Sequence, residues 1–237
     1  MELGLATVRL PAQLDADTVA ALARDLSDAV RSSARIVVVT GSTDDTFCLG
    51  LALGSPLEGG PATHAFAALL AAMHECEKPL LAVVDGRAIG GGMGIASACD
   101  WIVATERASF ALPELLWGLL PAIIWPVIAD RMAPHAARQW TLSGHARSAR
   151  EAAAAGLVDD VVAPERLDQA TNRAARMLAR LDPVALCRFR AWMRASRRHD
   201  LPAALRIGAE ITAELIVQPG VRNRWRAFAD GGAPWSA

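Results

Sequence analysis

The sequence predicts an α/β fold with a helical C-terminal part, and three observations carry that prediction. Strand-like and helix-like pieces alternate through the first two-thirds of the chain, the pattern of a parallel sheet with covering helices. Two short runs, Ile36-Val37-Val38-Val39 and Leu80-Leu81-Ala82-Val83-Val84, are apolar throughout, as strands covered on both faces are. Beyond Leu142 the pattern becomes mainly helical.

The elements follow in order. Leu3 to Leu10 alternates as a half-buried strand does. Asp17 to Arg31 places Val19, Leu22, Leu26 and Val30 at helical spacing. Ile36 to Val39 is the first buried strand, and Gly41 to Asp45 a turn. Thr63 to Cys76 reads as a helix that Lys78-Pro79 ends, and Leu80 to Val84 is the next strand. Trp101 to Ala104 and Ser109 to Ala111 are further strands. Ser148 to Ala155 is a helix stopped by Gly156, and Leu157 to Val162 a short extended piece. Pro164 to Arg180, Pro183 to Arg197 and Pro202 to Val217 are three closing helices. The division expected is a core over residues 1–163 and a helical region over 164–237.

Composition excludes several functions. With 237 residues, 53% of them hydrophobic, the chain has material for a sizeable core. A formal net charge of -1 gives no electrostatic case for nucleic acid or an anionic membrane. The arginines at 188, 190, 194, 197 and 198 read as a solvated helix face. Cys48, Cys76, Cys99 and Cys187 form no CxxC pair and no zinc spacing, so free thiols, a cytoplasmic location and no metal are expected. No secretory leader pattern opens the sequence. The apolar run from Leu115 to Ile128 is broken by Gly118, Pro121 and Pro126, too short for a membrane span.

The chemistry concentrates in three segments. Ala88-Ile89-Gly90-Gly91-Gly92-Met93-Gly94 follows the Leu80–Val84 strand and the turn pair Asp85-Gly86. Its glycines remove the side chains that keep a ligand from the backbone, and a helix opening there presents amides without internal partners. Phe47-Cys48-Leu49-Gly50-Leu51 follows the Ile36–Val39 strand in the same way. Loops after parallel strands gather at one edge, so the two segments are expected to meet there and offer a backbone N–H each to an oxyanion. Glu114 lies among Leu112, Pro113, Leu115, Leu116 and Trp117. A carboxylate in such surroundings has a raised pKa, which suits general acid–base work.

These segments carry a resemblance. Phe47 to Ala52, Ala88 to Gly92 with Ala98-Cys99-Asp100, Pro113 to Gly118, Leu142-Ser143-Gly144, and Ala152 to Val158 resemble, in this order, the signatures of the crotonase (enoyl-CoA hydratase/isomerase) superfamily. The resemblance implies a spiral of ββα units assembled as trimers or hexamers through the helical C-terminal region. It implies a thioester substrate on CoA or a phosphopantetheine arm and no other cofactor. It assigns the oxyanion hole to the amides of Leu51 and Gly91 and the catalytic carboxylate to Glu114. Trp117 and His64 are candidates to border the acyl pocket.

Two positions depart from the superfamily's hydratases. Gly94 stands where they carry a second glutamate, and Ala52 where an acidic residue is usual. A one-carboxylate reaction is therefore expected, an elimination or an isomerisation. Residues 91–100 and 114–122 also resemble the first crotonase-like enzyme of polyketide β-branching cassettes. That resemblance implies dehydration of a 3-hydroxy-3-methylglutaryl group on an acyl carrier protein. The alternatives are a Δ3-Δ2 enoyl-CoA isomerase, a hydratase of acyl-CoA metabolism, and a non-catalytic thioester-binding homologue.

Overall fold

The central strands of the first sheet owe their place to what covers their two faces. The computed structural model describes residues 4–43, 45–52 and 59–196, with short pieces at 207, 210–212, 219–223 and 230. The chain divides into two compact units, 1–179 and 180–237.

The first unit begins with β1 (Leu5–Leu10) and α1 (Ala16–Arg31). Asp15 and Thr18 form a reciprocal capping box at the start of α1, satisfying amides that have no helical partner. Val19, Leu22, Leu26 and Ala29 form its buried stripe. Then come β2 (Ile36–Gly41), β3 (Thr46–Cys48), α2 (Gly59–His74), β4 (Leu80–Val84), β5 (Arg87–Ile89), α3 (Gly91–Ser97), β6 (Trp101–Thr105) and β7 (Ser109–Ala111). A 3-10 turn at Glu114–Trp117 precedes α4 (Trp125–Arg131), α5 (Pro134–Ser143), β8 (Arg147–Ser148), α6 (Ala149–Ala154), β9 (Asp160–Val162) and α7 (Leu167–Leu178).

Two sheets result. The larger has the order β1-β2-β4-β6-β9 and is parallel throughout; the smaller has the order β3-β5-β7-β8, with only the β7–β8 pair antiparallel. Side chains alternate across the large sheet. Val37, Val39, Leu80, Ala82 and Val84 join the main core with α1 and α2, while Ile36, Val38, Leu81 and Val83 pack with Ala170, Ala174, Ala175 and Leu178 of α7. Burial on both faces explains the unbroken apolar runs of the sequence.

The chain passes from the large sheet to the small one through Asp85-Gly86. Gly86 has φ +119, and a Cβ there would stand 2.2 Å from the carbonyl carbon of Asp45, so only glycine fits the turn. Asp85 is held by Thr105 Oγ1 and by Arg107, which fixes the turn from the far side.

Strands Leu80–Val84 and Ser109–Ala111 have the bounds read from sequence. The short strands Thr46–Cys48, Arg87–Ile89 and Arg147–Ser148 have no counterpart in the sequence reading, and neither do α4 and α5. The second unit contains α8 (Pro183–Ser196). Most of the expected helix Pro202 to Val217 lies outside the described residues, as do Arg197 and Arg198 of the arginine face. No described helix is long and apolar enough to cross a membrane.

Candidate active site

β3, β5 and β7 are parallel neighbours in the small sheet, and each ends in one of the three segments singled out by sequence. β3 runs into Leu49-Gly50-Leu51, β5 into Gly90-Gly91-Gly92, and β7 into Leu112-Pro113-Glu114. The sequence expectation has only a turn between the first two of these loops and the strands at Ile36–Val39 and Leu80–Val84. Both of those belong to the large sheet; three-residue strands of the small sheet intervene and deliver the loops.

Leu51 forms an isolated parallel bridge with Leu14. The Leu14 N–H donates to Gly50 O at 2.9 Å, and the Ala52 N–H donates to Leu14 O at 2.7 Å. Both bonds of the bridge engage the residues flanking Leu51, so the Leu51 N–H points to the side away from Leu14. Gly50 and Gly91 touch backbone to backbone. A Cβ on Gly50 would stand 2.8 Å from Gly91 N, and a Cβ on Gly91 would stand 3.2 Å from Gly50 Cα.

Gly91 opens α3, so its amide lies in the first turn, where no carbonyl of the helix can accept it. Gly90 before it has φ +52 and ψ -117, and its N–H donates to Ala111 O at 2.9 Å, tying the end of β5 to the end of β7. Phe66 of α2 is buried and closes over Gly91, its Cζ 3.2 Å from the Cβ position. Sequence reasoning does not single out Phe66, because its apolar helical position reads as ordinary core.

Glu114 begins the 3-10 turn behind Pro113. Its Oε1 stands 2.9 Å from the Cβ position of Gly90. Its Oε2 is buried and has no hydrogen-bond partner among the described residues. Burial pushes the carboxyl above the usual glutamate range, and its own backbone N–H opposes that only in part. Leu51, Gly91 and Glu114 are therefore brought to one place, two backbone amides and one poorly solvated carboxylate.

The two candidates for the acyl pocket are on the surface. Trp117 is 72% exposed, alongside exposed Leu116 and Leu120, and His64 is exposed on α2. Cys48 is buried under the glycine turn; its Sγ accepts the Gly50 N–H at 3.4 Å, and burial pushes its thiol up to about 11. It stays a neutral thiol at physiological pH. Among the described residues no cluster of His, Cys, Asp and Glu is arranged to hold a metal ion.

Gly94 has an unexpected neighbour. A Cβ there would stand 2.4 Å from Cγ2 and 2.8 Å from Cβ of Ile124, just ahead of α4. Hydrocarbon from a distant segment fills the space that a side chain at 94 would need. No periodicity in the sequence reports such a contact.

Comparison with known proteins gives the family and supports the fold. The enoyl-CoA hydratase/isomerase family matches residues 6–236. The carnitinyl-CoA dehydratase of Salmonella typhi is 32% identical over 167 residues, covering 68% of this chain and 64% of that protein. The chain thus spans less than two-thirds of the curated relatives it matches. An enoyl-CoA hydratase structure from Mycobacterium smegmatis superposes with a TM-score of 0.88 at 25% identity, covering 100% of this chain and 97% of that one. The human enoyl coenzyme A hydratase domain-containing protein 3 shares the fold at a TM-score of 0.87 and 20% identity, covering 99% and 97%. On its family match and its fold, the chain belongs to the crotonase, or enoyl-CoA hydratase/isomerase, superfamily.

Proposed function

We propose that this protein eliminates water from a 3-hydroxyacyl thioester, with Glu114 as its single acid–base group. The observation that carries the reading is the meeting of the Glu114 carboxylate with Gly90, one residue before the Gly91 amide. The thioester carbonyl accepts hydrogen bonds from the N–H groups of Leu51 and Gly91, which stabilise the enolate as charge moves onto oxygen. Glu114 takes the proton from the carbon next to that carbonyl. The electron pair forms the new carbon–carbon double bond, the bond to the 3-hydroxyl breaks, and Glu114 returns the proton to the departing oxygen. Atoms and charge balance with one carboxylate and no co-reactant.

Ile124 at Gly94 supports a one-carboxylate site, since no side chain from position 94 has room to act. The dehydratase named among the relatives supports elimination. The same site runs backwards on its own enoyl product, so what separates this enzyme from a hydratase is the acyl chain. The narrowest form of the proposal, hydroxymethylglutaryl on an acyl carrier protein, rests on the resemblance of residues 91–100 and 114–122 alone. An isomerisation uses the same groups, with the proton returned to another carbon.

Incubation with 3-hydroxy-3-methylglutaryl carried on CoA and on a carrier protein, and with 3-hydroxybutyryl-CoA, tests the reading by mass loss of water. Glu114→Gln abolishes that loss while thioester binding survives. Near-normal turnover in the variant overturns the proposal.

A further inference from the structure

We propose that Ile124 is the positioning residue for Glu114: its side chain, seated on Gly94, fixes the far end of the segment that carries the carboxylate. The inference rests on the reading of Glu114 as the acid–base group.

The segment from Leu112 to Ile124 is held at few points. Leu112, Pro121 and Ile124 are buried, but from Pro113 to Leu120 every residue is half-buried or exposed. From Leu112 to Leu120 its backbone hydrogen bonds run within the segment, Leu116 N–H to Pro113 O, Gly118 N–H to Leu115 O, Leu119 N–H to Glu114 O and Ala122 N–H to Leu120 O, while Trp125 N–H to Pro121 O joins its far end to α4. One exposed side chain, Leu116, reaches outward to rest on Gly144 at the end of α5. The remaining anchors are Pro121 and Ile124, both buried, and of the two Ile124 is the one seated on α3, at Gly94.

That anchor lies on the helix that also receives the carboxylate. Gly94 N–H donates to Gly90 O at 3.0 Å, so the two glycines are one turn apart on α3, a rise of about 6 Å. Glu114 Oε1 rests at Gly90 and Ile124 at Gly94. A single helix therefore sets the Gly91 amide, the carboxylate beside it, and the end of the strap between. The lock is steric rather than greasy. The Cβ position of Gly94 is only 2.8 Å from Ile124 Cβ and 3.8 Å from its Cα, so a rotamer change at 124 cannot make room for a larger residue. The β-branch is what fits.

The experiment is a double-mutant cycle on Gly94 and Ile124, read as α-deuterium uptake from D2O by 3-hydroxy-3-methylglutaryl-CoA and by 3-hydroxybutyryl-CoA. A displacement of the reacting group by about 1 Å costs on the order of a hundred-fold, so Ile124→Ala and Gly94→Ala each lower kcat roughly ten- to a hundred-fold with KM changed less than about three-fold. Ile124→Val keeps the β-branch and restores kcat to within about three-fold; Ile124→Leu, without the branch, does not. The double variant Gly94→Ala/Ile124→Ala removes the tighter contact, to Cγ2, and loses less than the two single effects combined, a coupling that independent sites do not show.

A second measurement needs no turnover. At neutral pH the gain in thermal stability from Glu114→Gln shrinks in the Ile124→Ala background, because a carboxylate released from its seat regains water. Additive effects in both measurements, or a folded Ile124→Ala protein with unchanged kcat, overturn the inference. Loss of activity in Glu114→Gln with full activity in Ile124→Ala overturns it alone; full activity in Glu114→Gln overturns the functional reading beneath it.

Discussion

The carboxylate of Glu114 rests on Gly90, its Oε1 2.9 Å from where a Cβ would stand. Position 90 is doubly restricted. Its φ of +52 with ψ -117 is a conformation that L side chains rarely adopt, and the space above it belongs to the carboxylate. Gly90→Ala therefore costs about 1–3 kcal/mol of stability in backbone strain. It also moves Glu114 away from the Gly91 amide, so the expected loss of kcat exceeds what the fall in Tm implies. Denaturant unfolding and turnover measured on the same preparation separate the two effects.

Burial raises the Glu114 carboxyl pKa, and the sign of the consequence follows from linkage. The unfolded chain releases this proton near the ordinary glutamate value of about 4.3, the folded chain only at higher pH. Between the two values the folded state holds more protons, so this group's contribution to stability is complete below the unfolded pKa and is lost as pH rises through the folded one. Glu114→Gln removes that loss. The variant is expected to have a higher Tm than wild type at neutral pH and no advantage below about pH 4. In wild type the acid limb of kcat/KM lies above the usual glutamate range, because Glu114 must be ionised to accept the proton. A Tm difference independent of pH would contradict a buried, ionising Glu114.

Arg131, at the end of the helix that Ile124 precedes, holds three elements together. Its Nε donates to Leu157 O at 2.7 Å, Nη1 to Cys99 O at 2.6 Å, and Nη2 pairs with Asp159. Asp159 in turn accepts the Ile102 N–H at 2.7 Å, and burial raises its pKa although Arg131 opposes the shift. Arg131→Met leaves Asp159 and two carbonyls without this partner. A fully buried broken pair costs about 3–5 kcal/mol; with Arg131 and Asp159 at 13% and 26% side-chain exposure, about 2–4 kcal/mol is expected by urea unfolding. Replacing Asp159 as well, as Arg131→Met/Asp159→Leu, recovers part of that loss.

What the sequence made legible follows the length of each pattern. Leu80–Val84 and α1 show themselves because five or more residues obey one period. Thr46–Cys48 and Arg87–Ile89, which carry the site, do not: three residues establish no alternation, although the equally short Ser109–Ala111 is legible. Glycines and a lone glutamate in apolar surroundings mark the segments at 47–51 and 88–94 and Glu114, and the family resemblance singles out the Leu51 and Gly91 amides within them. Phe66 and Ile124 look like any core residue, and only the fold reveals that they press on Gly91 and Gly94. The run from Leu115 to Ile128 hides α4 because apolar residues on both sides of Pro121 blur its helical period.

The Gly91 amide gives the most direct test of the backbone site. Gly91 is the first residue of α3, where proline is compatible with the helix because that N–H has no helical acceptor. Gly91→Pro thus deletes one donor while leaving the hydrogen bonds of α3 in place. The Cβ meets Gly50 Cα and Phe66 Cζ at 3.2 Å and Phe66 Cε1 at 3.4 Å, so a fall in Tm is expected. Losing one oxyanion donor costs a hundred-fold or more in kcat, on the order of 3 kcal/mol of transition-state stabilisation. Thioester binding falls far less, since a neutral carbonyl gains less from the amide than the enolate oxygen does. Equal losses in kcat and in ground-state affinity would mean that Gly91 holds the substrate without serving the reaction.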